Sequence, residues 1–425
     1  MSPDLNEKNI FLSIIDGRTI RDLIYNDIIP MLNFKNTTPI ILSPISSSKR
    51  HTNSWNSSCN AKFESFHPVV PSLPRKFARF FRKYVSRKHH FLLNQALFFE
   101  SMFYDEDSDV KNNFEKYSPS LILSTHSQLA SEMSIIIEAR RNNIPSVGMV
   151  RSWDNIFKGL YCRADFLTVW CPINQDEAVT MEGYSKENVF ITGAPQFDQY
   201  FKKNDESRKD FCNQIGFDPH HPIITFATIG SRNALMGGYD ETYLIDLVLG
   251  FINEGKIDID TQLIIRLHPH TSLEIFLRYN NLKNVYVSYF DEYIPSLGWS
   301  MTNDFLHQTK NILNFSSVIV SPGSTMVIEA AIFDKPTLVP LFHPHQKRIA
   351  DETYKRTYNK HFKRLIKEDL VKIQRSEDEL LDDLKSSLSS NSWYSRQRKI
   401  LLDDYVPYRD GKSTERLVDF ISKVS

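Results

Sequence analysis

The feature that most constrains the fold of this chain is a regular alternation of short apolar runs with amphipathic stretches in its second half. Apolar runs at 222–230, 262–268 and 316–322 have the length and β-branched content of buried strands. Between them, apolar residues recur at helical spacing, as in 239–253 and 303–313. Because strands that alternate with helices are joined by crossover connections, the pattern predicts a parallel, doubly wound α/β sheet.

The first half of the chain alternates in the same way, although less regularly. Strands are expected at 9–16, 38–44, 121–125, 146–150, 166–170 and 189–192, with helices at 19–31 and 128–142.

A change of composition after Tyr200 indicates a domain boundary, because the chain there turns polar and charged up to a pair of prolines. We therefore predict two Rossmann-like domains, 1–200 and 201–395, whose sheet edges face a cleft. A helical tail, 396–425, is expected to pack back toward the first domain. No strand is expected beyond 351.

Composition argues against several function classes. The chain has 51 basic and 51 acidic side chains, so no bulk positive field favours a nucleic-acid partner. Only 14 of 425 residues are glycine, and neither common glycine-rich phosphate motif occurs, so an anion must be bound another way. The four cysteines are scattered without metal-ligand spacing, and no apolar stretch approaches a membrane span. A cytoplasmic protein is expected.

Two loops at the predicted carboxyl edge of the second sheet suit an anion. His268 follows one strand, and Ser324 and Thr325 are expected to begin a helix after another. Hydroxyls, unpaired backbone N–H groups and the helix dipole attract anions there, and the imidazole can add a donor. Glu329, further along that helix, could accept a hydrogen bond from a ribose hydroxyl. The alternative is an ordinary N-cap, a turn histidine and a solvated glutamate.

These motifs resemble the nucleotide-binding half of GT-B glycosyltransferases, with H-P followed by S-P-G-S-T-x-x-x-E-A. They are shared in particular by bacterial sialyl- and polysialyltransferases and by CDP-glycerol glycerophosphotransferases. The string at 195–198 and the D-G-x-x-S-x-R ending at 410–416 are also similar to segments of such proteins. The resemblance implies a GT-B fold and a nucleotide-activated donor, with a cytidine nucleotide favoured by analogy. The donor-binding residues it implies are Arg266, His268, Pro269, Ser321, Gly323, Ser324, Thr325 and Glu329.

The segment at 152–159 is similar to W-H-G-T-x-x-K of the glycerophosphotransferases, whose histidine is thought to act as base on the acceptor hydroxyl. Here Asp154 follows Trp153, and a carboxylate can serve as such a base. Alternatively, Asp154 and Asn155 only form an Asx turn. His126, after an earlier strand, is a second candidate base, an acceptor-binding residue or a structural histidine. The implied acceptor or cleft residues are Trp153, Asn155, Lys158 and Gln196.

The segment at 74–90 is strongly basic, with seven Lys or Arg residues and no acid. Its aromatic residues fall at helical spacing, which predicts a cationic amphipathic helix. Such a helix could make a peripheral contact with an anionic membrane. Alternatively, it is a core helix whose cationic side frames acceptor phosphates.

Together these observations predict a transferase that uses a nucleotide-activated donor and a saccharide or lipid-linked acceptor in cell-surface polysaccharide synthesis. We expect single displacement with no cofactor and no obligatory metal. The expected location is the cytoplasm, at the inner face of the plasma membrane. Two alternatives remain, an enzyme like UDP-N-acetylglucosamine 2-epimerase and a non-catalytic GT-B scaffold.

Overall fold

The structure is a computed structural model that describes residues 8–56, 60–67, 72–103, 107–203, 206–230, 241–269, 271, 273–290, 292–345, 348, 351 and 362–425. Contacts divide the chain into two compact units. Unit 1 comprises Met1–Lys202, Glu292–Met301 and Tyr405–Ser425, and unit 2 comprises Lys203–Asp291 and Thr302–Asp404. The predicted domain boundaries stay predictions, because these units are defined by contacts and not by independent folding.

The strands of the described residues are β1 (Lys8–Ser13), β2 (Thr37–Ser43), β3 (Lys62–Ser65), β4 (Leu121–Ser124), β5 (Ser146–Met149), β6 (Phe166–Val169), β7 (Val189–Ile191), β8 (Ile223–Ala227), β9 (Gln262–Arg266), β10 (Val285–Ser288), β11 (Glu292–Ile294), β12 (Gly298–Ser300), β13 (Val318–Val320), β14 (Thr337–Pro340) and β15 (Lys372–Gln374).

The α-helices of the described residues are α1 (Gly17–Leu23), α2 (Ile28–Phe34), α3 (Lys49–Asn56), α4 (Leu73–Lys88), α5 (Leu93–Met102), α6 (Ser108–Tyr117), α7 (Met133–Arg141), α8 (Asn155–Lys158), α9 (Pro172–Glu182), α10 (Asp198–Phe201), α11 (Arg208–Ile215), α12 (Thr242–Asn253), α13 (Asn303–Phe315), α14 (Met326–Ile332), α15 (Lys363–Lys367), α16 (Glu377–Ser389), α17 (Ser395–Tyr405) and α18 (Ser413–Val424).

Unit 1 is built on a parallel sheet of seven strands in the order β3-β2-β1-β4-β5-β6-β7. Apolar side chains of β1, β2 and β4, such as Leu12, Ile41 and Leu123, are fully buried in one core with residues of α1, α2 and α18. The strand order reverses between β1 and β4. Ligands of doubly wound sheets bind beside the carboxyl ends of the strands at such a reversal.

Unit 2 is built on a parallel sheet of six strands in the order β10-β9-β8-β13-β14-β15, which reverses between β8 and β13. Its core includes Phe226 and Leu244, both fully buried. The predicted α/β class with two doubly wound, Rossmann-like sheets and a helical C-terminus is therefore confirmed.

Two local expectations were wrong, and one pair of strands was not expected. The helix expected at 19–31 is interrupted, and α1 and α2 are separate because Asn26 between them turns its amide to the backbone oxygen of Pro195. A strand does follow residue 351, since β15 pairs with β14 in parallel. The three residues of β15 are too few to show the spacing of apolar side chains by which a strand is recognised in a sequence. The β11–β12 hairpin had no predicted counterpart, although Ile294 and Leu297 join the core of unit 1.

The two motifs at 195–198 and 410–416 meet in unit 1. The buried carboxylate of Asp198 accepts hydrogen bonds from the backbone N–H groups of Ser413 at 2.9 Å and Thr414 at 2.7 Å. These N–H groups belong to the first turn of α18 and have no partner within the helix. Gly193, with φ +85°, allows this approach, because a Cβ there would lie 2.5 Å from the Ser413 hydroxyl. Asp198 therefore caps the C-terminal helix from a distant part of the chain.

We predict that Asp198→Ala lowers the free energy of unfolding by about 3 kcal/mol, because two buried N–H groups lose a charged acceptor. Asp198→Asn should cost less, because it keeps one oxygen acceptor. Urea denaturation of both variants checks this. Equal, negligible losses for the two variants would show that the cap does not hold α18.

Candidate functional site

The carboxyl edge of the unit 2 sheet brings together loops that are distant in sequence. Strands β9, β8, β13 and β14 are neighbours, so the segments at 228–230, 267–269, 321–325 and 341–345 all leave the same edge. Most of the predicted donor residues lie in the second and third of these segments. The reversal point between β8 and β13 lies in their midst.

The loop after β13 holds its hydroxyls close to the start of α14. The Ser321 and Ser324 hydroxyl oxygens lie 3.3 Å apart, and Ser324 accepts from the Met326 N–H at 3.2 Å. Thr325 is the N-cap by position but makes no side-chain cap bond. Gly323 has φ +108°, a conformation that side chains rarely adopt. Helix α14 begins two residues later than expected, and Glu329 lies half-buried in its first turn.

His268 is positioned by the loop after β8, which the sequence analysis left out of the site. The His268 backbone N–H donates to the Thr228 hydroxyl at 2.7 Å. Its imidazole Nδ1 lies 3.0 Å from the point where a Cβ would stand at Gly230, whose φ is +112°. Any side chain at position 230 would therefore push against the ring. The signal for this loop in the sequence was Gly230 itself, because a glycine at the end of an apolar run is notable in a chain with so few glycines.

Arg266 does not extend freely from the edge of the sheet. Its guanidinium donates to the hydroxyls of Ser288 at 3.1 Å and Thr309 at 2.6 Å, and it stacks 4.1 Å from the centre of the Phe305 ring. The side chain is buried. These contacts join β9 to β10 and α13, so the described interactions of Arg266 are structural. Pro269, next to His268, is half-buried.

The carboxyl edge of the unit 1 sheet carries a charged cluster, which we call the Asp16 cluster: Asp16, Asp22, His126 and Arg151. Asp16 follows β1, His126 follows β4 and Arg151 follows β5, three neighbouring strands on both sides of the reversal point. His126 Nδ1 lies 3.1 Å from Asp16 Oδ2. Arg151 donates to Asp16 at 3.1 Å and to Asp22 at 2.7 Å. Only His126 was predicted, because single acids and arginines after short strands show no sequence pattern.

Burial and neighbouring charges give Asp16 and His126 different protonation states at neutral pH. Burial alone would raise the pKa of Asp16, but Arg151, the hydrogen bond from His126 and the charge of Arg18 hold that pKa well below its usual value. Burial lowers the pKa of His126 to about 4, outweighing the opposite effect of Asp16. At neutral pH the cluster therefore contains an ionised carboxylate beside a neutral imidazole.

Asn155, and not Asp154, makes the turn after β5. Asn155 Oδ1 accepts from the backbone N–H groups of Arg151 at 3.0 Å and Ser152 at 2.9 Å. The Asp154 carboxylate instead accepts from the Ser152 hydroxyl at 2.7 Å and pairs with Lys158. The Asn155 bonds run to residues before it, whereas an Asx turn bonds the backbone two residues further on, so they do not form the expected Asx turn. Asp154 stays a candidate base whose oxygens already have these two partners.

The other acceptor-side residues have structural neighbours in unit 1. Trp153 is buried, and its ring centre lies 5.2 Å from that of Tyr405. Gln196 accepts a hydrogen bond from the Arg21 guanidinium at 3.1 Å, while most of the Lys158 side chain is exposed.

A carboxyl group that the sequence analysis missed lies near Asp154. Glu177 Oε2 accepts from Asn174 Nδ2 at 3.1 Å, and the same amide donates to the Trp153 backbone oxygen at 2.9 Å. Burial, reinforced by the charge of Asp154, raises the pKa of Glu177 to about 7. Glu177 is therefore present in both protonated and ionised forms near neutral pH. Within the described residues, no group of three or more His, Cys, Asp or Glu side chains is arranged to hold a metal ion.

Helix α4 turns some of its basic residues inward and its aromatic residues outward. Arg75 and Arg82 are buried, and Arg82 pairs with Glu100 at 3.0 Å. The aromatic face comprises Phe77, Phe80, Phe81 and Tyr84, whose exposed fractions are 65%, 70%, 41% and 52%. Neither alternative from the sequence described this arrangement. No helix in the described part of the chain is both long and apolar enough to cross a bilayer.

A family model described as CDP-Glycerol:Poly(glycerophosphate) glycerophosphotransferase matches residues 145–423. The match begins at the end of unit 1's β4–β5 connection and includes the whole of unit 2. No curated protein matches the chain.

Solved structures share the fold over nearly the whole chain. UDP-GlcNAc 2-epimerase from Neisseria meningitidis is 13% identical with a TM-score of 0.60, covering 98% of this chain and 100% of that chain. The 2-epimerase from Methanocaldococcus jannaschii is 13% identical with a TM-score of 0.58, covering 98% and 99%. The wall teichoic acid polymerase TagF is 12% identical with a TM-score of 0.52, covering 98% and 88%. At these identities the likeness shows the GT-B-like fold alone.

We predict that Glu177→Gln stabilises the protein increasingly as pH rises from 5 to 8. The folded state holds the Glu177 proton up to a pKa of about 7, whereas the unfolded chain releases it near the ordinary value. Stability is therefore lost as pH rises through this interval, by about 2–3 kcal/mol. Glutamine stays neutral and avoids the loss.

Urea denaturation at pH 5 and pH 8 measures the difference. Glu187→Gln is the matched control, because it removes one negative charge from an exposed site. A Glu177→Gln effect equal at the two pH values would contradict the assignment of a buried, protonated carboxyl group.

Proposed function

Because this chain belongs to the CDP-glycerol:poly(glycerophosphate) glycerophosphotransferase family, we propose that it transfers a polyol phosphate from a cytidine-diphosphate-activated donor to a hydroxyl group of a cell-envelope polymer. The family is one of transferases, and the two Rossmann-like sheets agree with its fold. The observation that carries the proposal is that His268, Gly323 and Ser324 follow strands on either side of the reversal point, at the same edge of the unit 2 sheet.

Unit 2 has the groups that a donor diphosphate requires. The Ser321 and Ser324 hydroxyls lie together beside the backbone N–H groups at the start of α14. The His268 imidazole leaves a neighbouring strand of the same edge. Hydroxyl, imidazole and backbone donors bind phosphate oxygens without a glycine-rich loop. We propose that Glu329 contacts the ribose and that these residues, with Thr325, bind the donor, while Arg266 supports the edge from behind.

The reaction is a single displacement at phosphorus. The acceptor oxygen forms a new bond to the polyol-bearing phosphorus, and the bond from that phosphorus to the bridging diphosphate oxygen breaks. CMP leaves with the bonding electrons, and the acceptor proton passes to a base of unit 1. The unit 2 donors stabilise the charge that develops on the leaving phosphate. In this proposal the donor is a substrate, and no cofactor or obligatory metal takes part.

Unit 1 offers two candidate bases for the acceptor hydroxyl. Both Asp154 oxygens have partners, Ser152 and Lys158, which reduces the capacity of the carboxylate to accept another proton. His126 is neutral near pH 7 because burial lowers its pKa to about 4. A neutral imidazole has a ring nitrogen that can accept a proton. We therefore favour His126 as the base and assign the 152–158 loop to acceptor binding.

We predict that His268→Ala and Gly230→Ala both weaken binding of CDP-glycerol by about 10–100-fold, the cost of one lost hydrogen bond to a charged group. Alanine at 230 must displace the His268 ring. Gly250→Ala in α12 is the matched control, because a Cβ there meets nothing within 4 Å.

Isothermal titration calorimetry with CDP-glycerol, CMP-sialic acid, UDP-N-acetylglucosamine and GDP-mannose measures the affinities. We expect the cytidine diphosphate donor to bind best. A preference for UDP-N-acetylglucosamine, or full affinity in both His268→Ala and Gly230→Ala, would contradict the donor assignment.

We also propose that residues 74–90 contact the cytoplasmic face of the membrane peripherally, through the aromatic face of α4. The buried pairing of Arg82 with Glu100 opposes rotation of the helix, so the aromatic side chains stay exposed. Exposed Lys76, Arg87 and Lys88 lie on the same helix. Aromatic rings and cationic side chains together favour binding to a membrane that contains anionic lipids. A lipid-linked acceptor would lie in such a membrane.

We predict that the protein co-sediments with phosphatidylglycerol vesicles, and that Phe77→Ser/Phe80→Ser and Lys76→Glu/Arg87→Glu/Lys88→Glu each release most of it. Phe34→Ser is the control, because Phe34 is 90% exposed on a different helix of unit 1. Vesicles of phosphatidylcholine should bind little. Unchanged co-sedimentation of both multiple variants would reject this surface.

A further inference from the structure

The loops that leave β1, β4 and β5 bring one carboxylate and one imidazole together at the unit 1 reversal point. Asp16 Oδ2 lies 3.1 Å from His126 Nδ1, although the two residues are far apart in sequence. The His126 side chain is 6% exposed and that of Asp16 is 16% exposed. The pair therefore lies at the edge where ligands of such sheets bind, and only a small part of each side chain is exposed to solvent.

We propose that Asp16 is a positioning residue that orients His126 as the base toward the acceptor hydroxyl, and that Arg151 holds Asp16 in place. The proposal rests on the transferase function proposed above. It adds two residues, Asp16 and Arg151, that no motif indicated.

The contacts select one tautomer of the imidazole. Arg151 Nη1 lies 3.4 Å from His126 Nδ1, and a guanidinium can only donate. The carboxylate of Asp16 is closer to the same nitrogen and can only accept when ionised. The shorter contact places the proton on Nδ1, as Nδ1–H donating to Asp16. The other ring nitrogen, Nε2, is then left with a lone pair that can take a proton.

Burial, together with the charges of Arg151 and Arg18, keeps His126 neutral against the opposite effect of Asp16. Arg18 donates to Asp16 at 2.8 Å, and Arg151 donates to the same carboxylate at 3.1 Å. Behind it, the buried Glu132 accepts from Ser13 at 2.6 Å, and Asp22 accepts from Arg151. Two arginines therefore satisfy the carboxylate without a protonated imidazole. A purely structural ion pair would need His126 charged, whereas an uncharged imidazole can act as a base.

Asp16 also has a local role, which the experiment must separate from the proposed one. Its Oδ1 accepts from the Thr19 backbone N–H at 3.0 Å and so caps α1. Asparagine keeps this cap but cannot hold the Nδ1–H tautomer as strongly. Asp27→Asn is the matched control, because it removes an exposed carboxylate of unit 1 that pairs with Lys202 outside the Asp16 cluster.

The experiment compares Asp16→Asn, His126→Gln, Asp154→Asn and Asp27→Asn in a CDP-glycerol-dependent transfer assay, with donor binding followed by calorimetry. We expect Asp16→Asn and His126→Gln to lose roughly 10²–10⁴-fold in kcat, the usual contribution of a general base, with KM and donor affinity little changed. The acid limb of the kcat/KM profile should move to lower pH in Asp16→Asn, because Asp16 raises the pKa of His126, and should vanish in His126→Gln. Asp27→Asn should keep most of its kcat.

Two results would overturn the proposal while leaving the transferase function intact. One is a loss of kcat confined to Asp154→Asn, which assigns the base to Asp154. The other is an unchanged acid limb in Asp16→Asn with only a lowered melting temperature, which makes Asp16 structural. Failure of the wild-type protein to bind CDP-glycerol would instead reject the proposed function.

A second measurement tests the tautomer without any turnover. Nitrogen-15 NMR of the His126 imidazole in the wild-type protein at pH 7 should show a protonated Nδ1 and an unprotonated Nε2. Asp16→Asn should shift the population toward the other tautomer. A protonated Nε2 in the wild-type protein would overturn the proposal.

Discussion

A parallel sheet places the carboxyl ends of all its strands along one edge, and the donor-binding and base assignments depend on this constraint. Where the strand order reverses, the two adjacent crossovers run to opposite faces of the sheet and leave room beside the strand ends. In unit 1 that point lies between β1 and β4, and in unit 2 between β8 and β13. Charged side chains lie at the unit 1 point, and hydroxyl and imidazole groups lie beside the unit 2 point.

The shortage of glycine becomes informative in this light. A glycine-rich phosphate loop needs several positions without a side chain, whereas unit 2 uses two. Gly323 provides a turn with positive φ before α14, and Gly230 gives the His268 ring its space. Serine and threonine hydroxyls, an imidazole and backbone N–H groups can then replace the missing loop. Such a site tolerates little change at those two glycines.

The strand pattern predicted the fold class because buried parallel strands are continuous apolar runs, which one sequence reveals directly. Motif residues such as His268 and Ser324 were found because they directly follow such strands. Asp16 and Arg151 were missed because their contact forms between the loops after β1 and β5, which are remote in sequence. The orientation of α4 was missed for a related reason. The burial of Arg82 depends on its ion pair with Glu100 of another helix. This tertiary contact turns a cationic side chain inward, which the sequence of α4 alone does not show.

The central claim is that this chain transfers a polyol phosphate from a cytidine-diphosphate donor. Phosphorus-31 NMR of the protein with CDP-glycerol and a lipid-linked glycerophosphate acceptor tests it most directly. The account predicts that the diphosphate signals decline while CMP and a new phosphodiester signal grow in equal amounts, and only when acceptor is present. Unchanged diphosphate signals with acceptor present, or CMP release without a new phosphodiester, would contradict it.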